Sequence, residues 1–274
     1  MNIAVMSPHT HKSGNTVIAS LIAYELSTRN RTVCLTHGSN KSNSLYQYFN
    51  MNEKDNQTCN STQLLDLIKE GGIRKNDIGN YCKSITDRFE LFSLNSNEVS
   101  SDKFNSLITF INSNFPHDYI IYDIDDNDLE STINQAILKE CDCIIYILTQ
   151  NSTELSEFNE NKKQILYWME DIPSIVVVNK YCDIVSNIKQ VAAGIGIKKV
   201  SKWYKLSYNP WITYGTANGK MKFLYENIQK REYHVVDIDS DVKALVNGIL
   251  SIKHAKQVAR YHTASKNKEE IVLE

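Results

Sequence analysis

The chain has 274 residues, with 30 lysines and arginines against 32 aspartates and glutamates and a formal net charge of −2. Its 42% hydrophobic and 9% aromatic content is enough for an ordinary globular core, which excludes disorder, collagen and a coiled coil. No apolar run approaches the roughly 18 residues that cross a bilayer. The opening MNIAVMSP lacks the charged flank and apolar stretch of a secretory leader, so a cytoplasmic protein is expected.

Taken in chain order, short apolar runs alternate with longer amphipathic stretches. Strands are expected at 3–6, 32–35, 89–94, 119–122, 143–148, 174–178 and 202–206. Several of these are continuous Ile/Val/Tyr runs, the pattern of strands covered on both faces. Helices are expected at 16–27, 61–69, 102–114, 129–139, 154–170 and 184–194, and again over 241–259, where Val242, Leu245, Val246, Ile249, Leu250 and Ile252 recur at helical spacing. Beyond this last pattern the chain is basic and is expected to fray. The segment 36–62, rich in Asn, Ser and Lys, reads either as a surface excursion or as a short helix plus loop. Strands alternating with helices imply one α/β domain over 1–252, a doubly wound and mostly parallel sheet with helices on both faces, followed by a basic extension over 253–274. A ligand would sit beyond the carboxyl ends of the strands, in the loops after Met6, Leu35, Tyr122 and Val178.

The stretch IAVMSPHTHKSGNTVIASLIAYEL has the form of strand, tight loop and helix, where phosphates meet backbone amides and a helix N-terminus. A Walker A loop needs several glycines for close approach and a lysine for the phosphate charge. This loop offers Gly14 alone. In one register Gly14 falls at the lysine position and Asn15 at the magnesium-binding position; one residue further along, Asn15 replaces the lysine and Thr16 takes the magnesium role. Lys12 compensates only in a differently folded loop. Alternatively, Ser13 or Asn15 merely caps the following helix. Further on, HDYIIYDIDDN is an apolar strand running into acids, which places Asp123 to hold magnesium through water, whereas Asp125, Asp126 and Asp128 read as a solvated turn. IPSIVVVNKYCD puts Asn179 at a strand end, where its amide faces a purine edge, and LSYNPWITYGTANGK reads as a loop after a late strand.

These four segments, in this order, resemble the ParA/MinD group of P-loop ATPases, and the Ser7-Pro8 opening resembles the TadZ/CpaE-like branch. The resemblance spans most of the chain, roughly 2–252, and rests on motif order. It implies a P-loop NTPase-like fold, ATP or ADP with Mg²⁺ as cofactor unless the pocket is empty, and a homodimer around two nucleotides. It implies that Lys12, Ser13, Gly14, Asn15 and Thr16 line the phosphates, that Asp123 closes the Walker B strand, and that Asn179 with Tyr208, Asn209 and Pro210 borders the base. The departures matter as much. The family's signature lysine falls at His9 or Thr10, and the aspartate that orients water falls at His37, with Ser39 at the next acidic position. One such charge is worth about 10³-fold or more in phosphoryl transfer, so little or no ATP hydrolysis is expected. The expected role is that of a hydrolysis-deficient positioning or assembly factor in partition, conjugation or a secretion or pilus machine, working through a protein partner. An active ATPase with an unusual loop and an interaction module with an empty pocket are the alternatives.

Charge is unevenly distributed: 85–171 holds 17 acids against 5 basic residues, and 184–225 holds seven lysines and no acid. Lys189, Lys198, Lys199, Lys202 and Lys205, interleaved with Trp203 and Tyr204, would attract DNA phosphates nonspecifically or form an ordinary solvated face. The tail around Lys253, Lys256, Val258, Arg260 and Tyr261 has too few bulky apolar residues for stable membrane anchoring. His9, His11 and His37 with Asp123 form a minor metal hypothesis. The six cysteines, at 34, 59, 82, 141, 143 and 182, lack zinc spacing and read as buried reduced thiols.

Overall fold

The computed structural model describes residues 1–8, 13–37, 44–51, 64, 66–67, 70–72, 77–92, 101–124, 131–196 and 202–271, with the side chains of 44, 78, 101–105, 132–133 and 256–271 left out. Eight strands are found among them: β1 (Asn2–Met6), β2 (Val33–His37), β3 (Lys83–Thr86), β4 (Phe89–Phe92), β5 (Tyr119–Asp123), β6 (Cys143–Leu148), β7 (Ser174–Tyr181) and β8 (Trp203–Ser207). They form one sheet in the order β3-β4-β2-β5-β1-β6-β7-β8. Every neighbouring pair is parallel except β3 and β4.

The expected doubly wound α/β sheet is therefore present, and its apolar strands account for it. On β1, Ile3 and Val5 enter one core while Ala4 and Met6 enter the other; on β6, Cys143, Ile145 and Ile147 alternate in the same way with Ile144, Tyr146 and Leu148. A strand with apolar side chains on both faces needs cover on both faces. On one side the cover is α1 (Asn15–Thr28), α7 (Pro210–Ala217), α8 (Met221–Gln229) and α9 (Val236–Ile271). On the other side it is α3 (Ser101–Asn114), α4 (Thr132–Lys139), α5 (Ser152–Asp171) and α6 (Ile188–Ile195). The single turn α2 (Ser44–Gln47) lies in the segment left open by the sequence, and its Tyr46, with nearby Phe49, is buried in the first core. Most of the helix expected over 61–69 falls outside the described residues.

Three elements differ from expectation. The edge strand β3, which buries only Ile85, carries no hydrophobic period to announce it. The stretch 206–220, expected as a loop, contains the helix α7: Asn209 accepts from Trp211 N at 2.9 Å and Pro210 opens the helix, an arrangement in which the proline's missing N–H costs nothing. The last helix starts at Val236 and is continuous to Ile271. It packs Val242, Leu245, Val246, Ile249 and Ile252 into the core, and Gly248 is needed where it crosses β8, because a Cβ there would lie 2.6 Å from Cζ of Tyr204.

Chain order fixes the location of a site. From β1 the chain moves to β2, leaving a gap that β5 later fills, and then turns the other way through β6, β7 and β8. The reversal lies at β1, and the crevice beyond the carboxyl ends of β1, β5 and β6 is the expected ligand position in such a sheet.

Candidate functional site

Six side chains, those of Ser13, Asn15, Thr16, Asp123, Glu154 and Asn179, converge where β1 hands over to α1. Lys12, with His9 and His11, lies outside the described residues, and the described part of the loop resumes at Ser13. Ser13 is fully buried; its hydroxyl donates to Glu154 Oε2 at 3.3 Å, and its carbonyl accepts from Asn179 Nδ2 at 2.7 Å. Gly14 follows with φ +85°, the left-handed region, and a Cβ there would sit 2.5 Å from Asn179 Nδ2. Glycine is thus required twice, by its backbone angle and by the amide beside it. Gly14 is also the N-cap of α1, with no side-chain hydrogen bond, so neither Ser13 nor Asn15 takes the capping role considered from the sequence.

Asn15 turns inward: Nδ2 donates to the carbonyl of Ile124 at 2.9 Å, and its buried Oδ1 has no hydrogen-bond partner among the described residues. Thr16 Oγ1 donates to Asp123 Oδ2 at 2.5 Å. Asp123 ends β5 and is 3% exposed; His37, in register with it on β2, is 5% exposed. The structure therefore brings Thr16 and Asp123 together. Of the histidines considered with Asp123, only His37 lies among the described residues.

The residues expected at the base side lie at the ends of β7 and β8. Asn179 sits within β7, which continues to Tyr181, and both ends of its amide are engaged: Nδ2 by Ser13 and Oδ1 by Lys180 N at 2.8 Å. In this arrangement it braces the first loop. Asn209 caps α7 and donates to the carbonyl of His234 at 2.8 Å, while Pro210 is the first residue of that helix. Tyr208 is 61% exposed beside them. Of the five lysines expected as a DNA-binding patch, Lys198 and Lys199 lie outside the described residues and Lys189 is exposed on α6. Lys202 instead bonds Ser251 Oγ and the Gly248 carbonyl on α9, and Lys205 lies 5.0 Å over the Tyr181 ring. Internal contacts thus occupy two of the five.

The donor set decides what fits. A threonine hydroxyl against a buried aspartate at a helix N-terminus suits Mg²⁺ and its waters. The phosphate side does not match as well. Residues 13–16 carry no cation, and Glu154, 6% exposed, stands against Ser13. A carboxylate there opposes a polyphosphate through a medium of reduced dielectric. No signal in the sequence pointed to Glu154, which lies in the first turn of α5 and reaches the loop across 141 residues.

The sequence matches no family model and no curated protein. Solved structures do match. A ParA family ATPase from Chlorobium tepidum aligns at 16% identity with a TM-score of 0.63, covering 89% of this chain and 96% of that one. The septum site-determining protein MinD from Pyrococcus horikoshii, complexed with Mg-ADP, aligns at 14% identity and a TM-score of 0.64 over the same shares. MinD in the MinC:MinD cell division complex of Aquifex aeolicus aligns at 13% and 0.65, covering 90% of this chain and 95% of that one. The fold is ParA/MinD-like, that of a P-loop NTPase-like α/β protein.

Proposed function

We propose that the chain is a hydrolysis-deficient relative of the ParA/MinD ATPases that acts by binding, as a positioning or assembly factor. The observation that carries this reading is the loop's chemistry. With Thr16 on Asp123, Asn15 occupies the place of the phosphate lysine, and its amide is spent on the Ile124 carbonyl. A neutral group there, with Glu154 behind Ser13, cannot stabilise charge developing on a transferred phosphoryl group. The Thr16–Asp123 pair supports retention of a Mg²⁺-nucleotide site, of which Lys12, Ser13, Gly14, Asn15 and Thr16 would form the phosphate side and Asn179, Tyr208, Asn209 and Pro210 the base side. The Ser7-Pro8 opening favours the TadZ/CpaE-like branch and hence conjugation or a secretion or pilus machine as the setting. Residues 1–252 are taken as the functional domain and 253–274 as its basic extension. No helix among the described residues is long and apolar enough to cross a membrane. A protein partner is expected to read the bound state, by analogy with the Aquifex aeolicus MinD that is found in complex with MinC.

Calorimetry with ATP and ADP, with and without Mg²⁺, tests the reading together with a phosphate-release assay. The expected result is Mg²⁺-dependent binding that Asp123→Ala weakens by about tenfold or more, with no turnover. ATP hydrolysis abolished by Asp123→Ala would replace this reading with that of an active enzyme. Absence of any binding would replace it with an interaction module whose pocket is empty.

A further inference from the structure

The geometry points to a zinc-type divalent cation site formed by Cys82, Glu90 and His117, apart from the residues gathered after β1. The thiol sulfur, a carboxylate oxygen and a ring nitrogen of these three lie within 4.8 Å of one another, the one such group of three or more potential ligands among the described residues. The fold assembles them from three places: Cys82 precedes the edge strand β3, Glu90 lies on β4, and His117 leads into β5. Strand register sets Glu90 opposite both Cys34 of β2 and Ser84 of β3.

The cluster is already close to the required size. His117 Nε2 stands 2.9 Å from Glu90 Oε2. Zinc bonds of 2.0–2.3 Å in a tetrahedron place donor atoms roughly 3.3–3.8 Å apart, so entry of the ion needs local shifts of about 1 Å or less. The imidazole is held in place: its side chain is 5% exposed and its ring packs against Phe115 at a centroid distance of 5.5 Å. Its other nitrogen, Nδ1, is buried without a hydrogen-bond partner among the described residues and stays so when Nε2 meets the ion. The Glu90 carboxylate is held from two sides, its Oε1 accepting from Ser84 Oγ at 3.3 Å and its Oε2 facing His117 Nε2. The fully buried thiol of Cys34 hydrogen-bonds that of Cys82 and supports it from behind.

A thiolate, an imidazole and a carboxylate together select Zn²⁺ over Mg²⁺ or Ca²⁺, which prefer all-oxygen shells. Three protein ligands leave a fourth position, which opens to water beside Glu90, whose side chain is 28% exposed. On binding, the Cys82 thiol loses its proton to solvent, and the ion replaces the hydrogen bond between His117 and Glu90.

The test uses the full chain, stripped with a chelator and titrated with Zn²⁺ and, separately, with Co²⁺ as a spectroscopic substitute. One equivalent of Zn²⁺ should bind and raise the melting temperature. Co²⁺ should give a thiolate charge-transfer band and the intense visible bands of a tetrahedral site. Cys82→Ala and His117→Gln should each weaken binding by more than about 100-fold, the upper range for loss of an outer-sphere partner alone. The His9→Ala/His11→Ala double variant should bind like the parent. Absence of the thiolate band, equal affinity in Cys82→Ala, or loss of binding in the double histidine variant would overturn the assignment. Circular dichroism of each variant shows that a loss of binding is not a loss of fold.

Discussion

The contact between Gly14 and Asn179 links the opening loop to the far strand through one amide. Replacing Gly14 with alanine puts a methyl 2.5 Å from that amide and strains a φ of +85°. The expected cost is at least about 2 kcal/mol in urea unfolding. Asn179→Ala removes the obstacle and the bond to Ser13 together, so the double variant should cost less than the sum of the singles. Glu154 supplies a second residue-scale prediction. Glu154→Gln keeps the bond from Ser13 but removes the charge, and should tighten Mg²⁺-nucleotide binding several-fold in calorimetry; unchanged or weaker affinity would show that phosphate does not approach that side. Some of this chemistry is legible in the sequence. Thr16 and Asp123 stand out because each ends or begins an element of recognisable pattern. Glu154 and the Cys82, Glu90 and His117 group do not, because no local period ties a side chain to partners that only tertiary folding supplies.

Strands whose residues face two cores and helices with a clear apolar stripe are readable, and short elements that bury little are not. The strand at 143–148 is found at the expected bounds because all six of its residues are buried. By contrast β3 is four residues at an edge, and α7 announces itself only through its Asn209-Pro210 start. Asn209→Ala should cost about 1 kcal/mol from the lost cap and more from the abandoned His234 carbonyl, as measured by denaturant midpoint. Where α9 crosses β8, Gly248→Ala must displace the Tyr204 ring and should cost about 1–3 kcal/mol. A neutral result would mean that the helix slides along the strand without penalty.

At the scale of the whole molecule, tyrosines are among the titrating groups buried in both cores of the described residues. Tyr122 and Tyr146 have phenols pushed well above 10 by burial, and Tyr24, stacked on Tyr225 at 4.2 Å and donating to its carbonyl at 2.9 Å, is pushed up to about 12, again chiefly by burial. A raised phenol favours the neutral folded form, so its contribution is complete below pH 10 and is lost as pH climbs through the folded value. Stability should therefore be insensitive to these groups at neutral pH and fall steeply above pH 10, tyrosinate absorbance rising together with loss of helical dichroism. Exposed phenols should ionise first, but ionisation of all 15 tyrosines near pH 10 while the dichroism persists would contradict the burial described above.

The position of β5 also has a bearing on synthesis. The strand ending in Asp123 is inserted between β1 and β2, both of which emerge from the ribosome much earlier. Until it arrives, two apolar ribbons carry unpaired backbone edges facing a slot of one strand's width, an invitation to intermolecular zippering. A truncated product ending at residue 118 should accordingly be insoluble, whereas supplying residues 119–274 in trans during refolding should rescue part of it.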